Sequence, residues 1–427
     1  MEYSAILHDM DKRFCYAIDK DLFVIRVQVK KDDIKEIMLH YEDKYIPLEW
    51  KDTRKTIPMK KVATSQFHDY YEAQLQMHLI CLRYYFKFTD MQGEKVYYGN
   101  YEFSRECITN RDRMFDCPQN LREEEMFEVP EWAANKVVYQ IFPSRFAASQ
   151  PIDKELWYKA PITSKDNLHG DLRGIIDHLD HIQKLGIDVV YLTPIFKATS
   201  SHKYDTIDYF IIDPEFGTNE IFEKLVKEAH QRGIRIMLDA VFNHCGYQHP
   251  FWQDVLMHGK ESKYYDYFYI LDADKPIFDG QVLDGVPQEI PREELNYRTF
   301  AYTPTMPKWN TGNPEVREYL LEAACFWTEK YHIDGWRLDV SNEVPHDFWR
   351  EFRKRVKDRN PELYILGENW DNSLPWLMGD QFDAVMNYEF AMPIWKYFRK
   401  EKEGERIYSE EQFRYAIGRL LTSYPKN

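Results

Sequence analysis

The chain has 427 residues, 44% of them hydrophobic and 30% charged, enough apolar material for a large core and, on length, for two or three domains. Its net charge of −15 excludes a nucleic-acid partner, which needs a basic stripe. No apolar run approaches the roughly 18 residues that span a membrane, and Met1-Glu2-Tyr3-Ser4-Ala5 has no basic-then-apolar leader, so no membrane partner and a cytoplasmic location are expected. In chain order, Phe23 to Val29 alternates with a period of two, and so, less cleanly, do residues 36–45, 75–88 and 96–98. Short strands separated by turn residues (Asp32-Asp33, Met91-Gln92-Gly93) predict an antiparallel β-sandwich over residues 1–117. Residues 118–132, with Pro118, Pro130 and the run Glu123-Glu124-Glu125, read as a linker.

From residue 133 to 427 the pattern changes to alternating strands and helices. Val137 to Phe142 is an apolar strand. A helix over 175–185 stops at Gly186, a strand follows over 187–193, a helix over 220–232 stops at Gly233, and a strand covers 234–239. Asn313 and Pro314 open a helix running to about Tyr331, which leads into the strand at Gly335. A helix over 346–358, a strand over 363–368 and a strand over 382–387 complete the series. Such alternation predicts parallel strands with crossover helices. Asp239, Asp339 and Glu368 all fall at strand C-terminal ends, and closure into a (β/α)8 TIM-type barrel makes such ends converge. No glycine-rich loop follows the first strand, which counts against a dinucleotide. The aromatic stretch 245–312, with Tyr264-Tyr265-Asp266-Tyr267-Phe268-Tyr269, reads as an insertion that shapes a cleft.

The strand Gly335-Trp336-Arg337-Leu338-Asp339-Val340 carries the chemistry. Its side chains alternate between an apolar face (Trp336, Leu338, Val340) and a face with Gly335, Arg337 and Asp339. A buried Arg–Asp pair must recover several kcal/mol of desolvation per ion, so ordinary cores avoid one. A structural ion pair has the same signature, and the strand alone leaves both readings open. The six cysteines (Cys15, Cys81, Cys107, Cys117, Cys245, Cys325) form no C-x-x-C pair and read as free thiols of a reducing compartment.

Several segments in fixed order then resemble glycoside hydrolase family 13, the α-amylase family, and within it the neopullulanase and cyclomaltodextrinase group. They are Asp239-Ala240-Val241-Phe242-Asn243-His244, Gly335 to Glu343 and Gly367-Glu368-Asn369-Trp370, supported by Tyr191 to Phe196, His202-Lys203-Tyr204-Asp205-Thr206 and Met306-Pro307-Lys308-Trp309-Asn310. The resemblance spans the chain, since a starch-binding-like β-domain at the N-terminus is typical of that group. It implies a retaining hydrolase of α-1,4 glucosidic bonds, with α-1,6 bonds left open, in maltooligosaccharides, cyclodextrins or pullulan. Asp339 matches the family nucleophile and Glu368 the general acid/base, a pair that retention requires about 5–5.5 Å apart. Arg337, on the same face, is expected to lower the pKa of Asp339, whereas Glu368 has no cation on its own strand, which suits a proton donor. Tyr204 is implied to stack on the sugar at the cleavage point, His244 to bond sugar hydroxyls, and Glu343 to lie on the acceptor side. Asp239 reads first as support for Arg337, Asn243 as a structural hydrogen-bonder, and Lys308 and Trp309 as packing within the insertion.

The sequence also departs from the family. The group's usual Val-Ala-Asn-Glu stands here as Val340-Ser341-Asn342-Glu343, and Asn369 follows the acid/base, which puts linkage preference in question. Ser144 to Gln150 offers almost no hard oxygen ligands besides the later Asp171, so no cofactor is expected; the calcium that the resemblance allows has a poor loop. Six barrel strands are counted, without the family's seventh-strand His-Asp pair, so the sequence reads as a fragment whose activity by itself is expected to be slight. The resemblance further implies a homodimer through the N-terminal domain. An alternative from another class is an inactive α-glucan-binding fragment that has kept the cleft, against which Asp339 and Glu368 both speak.

Overall fold

The structure is a computed structural model that describes residues 1–19, 21–47, 50–76, 81–117, 128–163, 166–399 and 407–426. Contacts divide it into two compact units, Met1–Glu128 with Trp370–Gly379 and Asn387–Asn427, and Val129–Asn369 with Asp380–Met386. Residues 118–127 of the expected linker lie outside the described residues.

The first unit opens with ten strands, β1 (Cys15–Asp19), β2 (Leu22–Lys30), β3 (Ile34–Asp43), β4 (Lys55–Pro58), β5 (Lys60–Thr64), β6 (His68–Gln76), β7 (Leu82–Asp90), β8 (Lys95–Gly99), β9 (Glu102–Ser104) and β10 (Phe115–Asp116). They form two antiparallel sheets, ordered β1-β2-β6-β5 and β4-β3-β7-β8-β9, with β10 paired to β7. The predicted alternation places Phe23, Ile25, Val27 and Val29 in one core with Ile37, Leu39, Phe86 and Phe88. The stretch 75–88, which alternates in the sequence, is two strands: β6 ends at Gln76 and β7 begins at Leu82, in different sheets. The inward side changes parity between them, from Tyr71, Ala73 and Leu75 in β6 to Leu82, Tyr84 and Phe86 in β7, so the period breaks where one strand gives way to the next.

The second unit holds β11 (Val138–Ile141), α1 (Lys154–Trp157), α2 (Leu172–Asp177), α3 (Leu179–Lys184), β12 (Val189–Leu192), a hairpin of β13 (Phe196–Ala198) and β14 (Thr206–Ile212), α4 (Asn219–Gln231), β15 (Arg235–Ala240), α5 (Pro250–His258), the ribbon β16 (Val282–Leu283) and β17 (Val286–Pro287), α6 (Pro314–Tyr331), β18 (Gly335–Leu338), α7 (His346–Arg359), β19 (Tyr364–Gly367) and β20 (Ala384–Val385). One sheet runs β11-β12-β15-β18-β19-β20, with every neighbour parallel. This is the expected barrel architecture, as a six-stranded sheet among the described residues. Gly186 and Gly233 adopt φ +76° and +72° after α3 and α4, as helix-ending glycines do. The Asn313 side chain caps α6 by accepting from the amides of Glu315 (2.9 Å) and Val316 (3.4 Å). The expected helix over 175–185 starts earlier, because the Asp171 carboxylate accepts from Gly174 N at 2.6 Å and caps α2. It also breaks at His178, whose ring bonds Gly174 O at 2.7 Å.

Two further helices, α8 (Tyr388–Phe398) and α9 (Glu410–Ser423), belong to the first unit. They explain a charge inside the sandwich. Arg26 of β2 is fully buried, pairs with Glu72 at 2.8 Å, and donates to Thr422 O at the end of α9 at 2.8 Å. A guanidinium there satisfies carbonyls that a helix end leaves without partners.

Candidate active site

Register brings the predicted residues together. Asp239 of β15 pairs with Arg337 of β18, and Leu338 pairs with Gly367 of β19, so Asp339 and Glu368 emerge side by side. The opposite face of β18 is apolar, as expected. Trp336 and Leu338 are fully buried, and the Trp336 indole donates to Thr328 of α6 at 3.1 Å.

Arg337 is the hub. Its Nη1 donates to both Asp239 oxygens at 3.0 Å and to Asp339 Oδ1 at 2.6 Å. Its Nη2 pairs with Glu368 Oε1 at 2.7 Å. The absence of a cation on the Glu368 strand therefore does not leave that carboxyl without one; the neighbouring strand supplies it. Glu368 Oε2 also accepts from Val340 N at 3.0 Å. Asp239 collects further donors on Oδ2, Tyr191 OH at 2.5 Å and Tyr204 OH at 3.2 Å. It thus supports Arg337, the role read for it from sequence, and Tyr204 as well.

One cation among three carboxyls decides the electrostatics. Burial works against the Arg337 charge, but Asp239, Tyr191 and Asp339 outweigh it and hold the guanidinium protonated. Burial pushes the Asp339 carboxyl well up, the Asp239 carboxylate adds to this, and Arg337 only partly offsets them. Asp239 is pushed up too, by burial before anything else. The expectation that Arg337 lowers the Asp339 pKa is met in sign for that one interaction and overturned in the net. Desolvation and like charge win at carboxyls this buried, and Asp239 and Asp339 titrate together.

Around this core, His244 is buried and stacks on Phe300, with ring centroids 5.1 Å apart. Its Nε2 lies 3.1 Å from Tyr204 O and its Nδ1 3.3 Å from Asn243 Nδ2, so both ring nitrogens already meet protein atoms. Burial pushes its pKa down to about 3, leaving a neutral ring. Glu343 is exposed, and its Oε2 lies 3.4 Å from Asn243 Nδ2 and 3.5 Å from Lys308 Nζ. Trp309 packs as expected, stacked on Phe268 and bonded through its indole to Tyr209 OH at 3.1 Å. Lys308 does more than pack: its ammonium bonds the Asn243 side chain and Glu343 O. Sequence reasoning missed this role and that of Tyr191. For Tyr191 a signal existed, since a hydroxyl on β12 two residues before Thr193 faces the same strand ends.

The segment considered for calcium does not fit a hard cation. Asp171 Oδ1 accepts from Gly174 N at 2.6 Å, and Oδ2 accepts from Ser149 N at 3.1 Å and Ser149 Oγ at 2.6 Å. Both oxygens are engaged in capping α2 and holding its loop, where a cation site needs six to eight oxygens turned toward one point.

The raised carboxyls make a stability forecast. A group whose folded pKa lies above its unfolded value, about 3.9 for Asp, contributes stability that is complete below the unfolded value. That stability is lost as pH rises through the folded one. Asp339→Asn removes that loss, and Arg337 keeps Asp239 and Glu368, so no cation is stranded. The variant is expected to melt higher than wild type at pH 7, by about 2–4 °C for each ~1 kcal/mol gained, with the advantage vanishing near pH 4. A D339N melting point at or below wild type at pH 7 contradicts this electrostatic account.

Comparison with known proteins places these features in context. Residues 140–427 match the family described as "Alpha amylase, catalytic domain", and residues 1–119 match "Alpha amylase, N-terminal ig-like domain". A cyclomaltodextrinase of Bacillus sp is 44% identical over 431 residues, covering 100% of this chain and 73% of that protein. Neopullulanase 2 of Thermoactinomyces vulgaris is 42% identical over 417 residues, covering 96% and 68%. The solved structure of a cyclomaltodextrinase superposes with a TM-score of 0.87 at 44% identity, covering 100% of this chain and 70% of that one. With the family match over most of its length and the carboxylate–guanidinium cluster at the ends of its parallel strands, the chain belongs to the alpha-amylase family of glycoside hydrolases.

Proposed function

We propose that this chain is a retaining hydrolase of α-1,4 glucosidic bonds, with α-1,6 bonds as a second linkage, acting on maltooligosaccharides, cyclodextrins or pullulan. One observation carries the mechanism: a single guanidinium binds Asp339 and Glu368 on its two terminal nitrogens. Two carboxyls held side by side suit double displacement, whereas inversion needs room for a water between them. In the first step Glu368 gives its proton to the departing glycosidic oxygen while an Asp339 oxygen bonds the anomeric carbon. In the second, Glu368 takes a proton from water, the hydroxide oxygen bonds the same carbon, and the Asp339 ester breaks.

Arg337 orients both carboxyls. Asp239 is a positioning residue that fixes Arg337 and Tyr204. Tyr204 supplies a ring for the sugar, and His244 holds the Tyr204 backbone and presents its imidazole beside the same sugar. Glu343, tied to Lys308 and Asn243, faces the acceptor side. Two carboxyls and water balance this chemistry without a cofactor. An inactive glucan-binding protein has no use for a carboxyl pair bound to one cation in a buried site, which would be costly to keep.

Among the described residues no helix is long and apolar enough to cross a membrane. Six free cysteines support a reducing, cytoplasmic location. The sandwich exposes Tyr45, Trp50 and Phe67, and apolar rings in water support a homodimer through this domain. Light scattering is expected to give twice the chain mass, and a strict monomer at micromolar concentration removes the dimer.

The mechanism is tested with leaving groups. Glu368→Ala is expected to lose about 10²–10⁴-fold in turnover of maltotriose, the range for a missing general acid. It should lose far less on maltosyl fluoride, because fluoride departs without a proton. Asp339→Asn is expected to abolish both, since neither substrate can form the ester. Equal losses of E368A on the two substrates sink Glu368 as the acid, and an active D339N sinks Asp339 as the nucleophile.

A further inference from the structure

We infer that Ser341 and Asn369 form a latch that sets how Asp339 and Glu368 face one another, so that both are positioning residues for the hydrolysis proposed above, on which this inference rests. The sequence singles out these two positions, 28 apart, as departures from the family pattern. The structure makes them neighbours. Ser341 Oγ lies 2.8 Å from Asn369 Oδ1, and both residues are buried, at 0% and 3% exposure.

The latch joins the two segments that carry the carboxyls. After Asp339 the chain turns left-handed at Val340, with φ +46° and ψ 42°, a conformation that a β-branched residue adopts only when its surroundings force it. That turn aims three groups across to the next strand end. Val340 N donates to Glu368 Oε2 at 3.0 Å, Ser341 N donates to Glu368 O at 3.2 Å, and Ser341 Oγ lies 3.0 Å from Glu368 O. From behind, the Trp349 indole of α7 donates to Ser341 O at 2.8 Å and pins the turn.

A serine has one hydroxyl hydrogen, and here it meets two acceptors. Among the described residues, Asn369 Nδ2 has no hydrogen-bond partner in this orientation. Turning the amide end for end resolves the conflict: Nδ2 then donates to Ser341 Oγ, and the hydroxyl donates to Glu368 O. In either orientation the amide and the hydroxyl remain partners, and Glu368 is gripped on its side chain and its backbone by consecutive residues of the Asp339 segment. With Ser341 alone truncated, the amide is buried with less to bond; with both partners apolar, nothing polar is stranded. The two departures are therefore one coupled change.

The test is a double-mutant cycle on the full chain with Ser341→Ala, Asn369→Leu and the pair. Each single change is expected to lower kcat about tenfold with KM within about twofold, because a displaced carboxyl harms the transition state more than substrate binding. The double variant is expected to lose no more than the worse single, the mark of residues acting through one contact. Losses that multiply overturn the latch, as do raised KM at constant kcat, or lowered melting points with kcat unchanged. Crystal structures of the singles supply a readout without turnover. Glu368 Oε2 is expected to leave Val340 N in S341A, and an unmoved Glu368 overturns the inference. Because the activity of the chain by itself is expected to be slight, the proposed function is overturned only by a wild-type chain with no α-glucan hydrolysis above that of E368A, and the position of Glu368 in those structures then decides the latch by itself.

Discussion

The chemistry of the second unit depends on one unequal ratio, a single guanidinium shared by three buried carboxyls. Arg337 reaches Asp239, Asp339 and Glu368 within 3.0 Å. Attraction alone cannot settle such a group, because burial penalises every charge and the carboxyls repel one another. The resolution is a cluster that keeps its cation while burial and like charge push the Asp239 and Asp339 carboxyls up. A general acid must have one proton and a nucleophile must have none. Burial of like charges is thus a local cost to the fold at the place where the chemistry happens, a trade of stability for activity that enzymes commonly show.

The fold supplies this arrangement through register. In a parallel sheet adjacent strand ends lie at the same level, so three carboxyls and an arginine from β15, β18 and β19 can share one face. A slip of one residue between β15 and β18 would turn Asp239 to the far side, among Trp336 and the covering helices. The apolar face of β18 guards against that slip, because Trp336 and Leu338 have no tolerable place in the polar site. Elements far from the chemistry then act through it. The α7 indole pins the turn after Asp339, and Lys308 reaches from the insertion to Asn243 and Glu343.

How much of this was legible in the sequence depended on range. Strands with a strong period, helices ending at Gly186 and Gly233, and the cap at Asn313 are local signals, and the structure repeats them. The carboxyls at strand ends were legible because a charged residue closing an apolar run is conspicuous. What the sequence hid lies between strands. Nothing near Glu368 in the chain shows that Arg337 arrives from next door, or that burial outweighs that cation at Asp339. The same limit hid Ser341 on Asn369. Asp171 was overlooked for a different reason: weighed as a metal ligand, it was not weighed as a cap.

The central claim is that Asp339 and Glu368 work as a retaining pair. It is tested most directly by the stereochemistry of the first sugar released from an α-linked glucan, observed by proton NMR before the free anomers equilibrate. Double displacement predicts that the α-anomer appears first and the β-anomer grows in only by mutarotation. A β-anomer in the earliest spectra means that water attacked directly. In that case Asp339 is not the nucleophile, and the account of the site built on Arg337 fails.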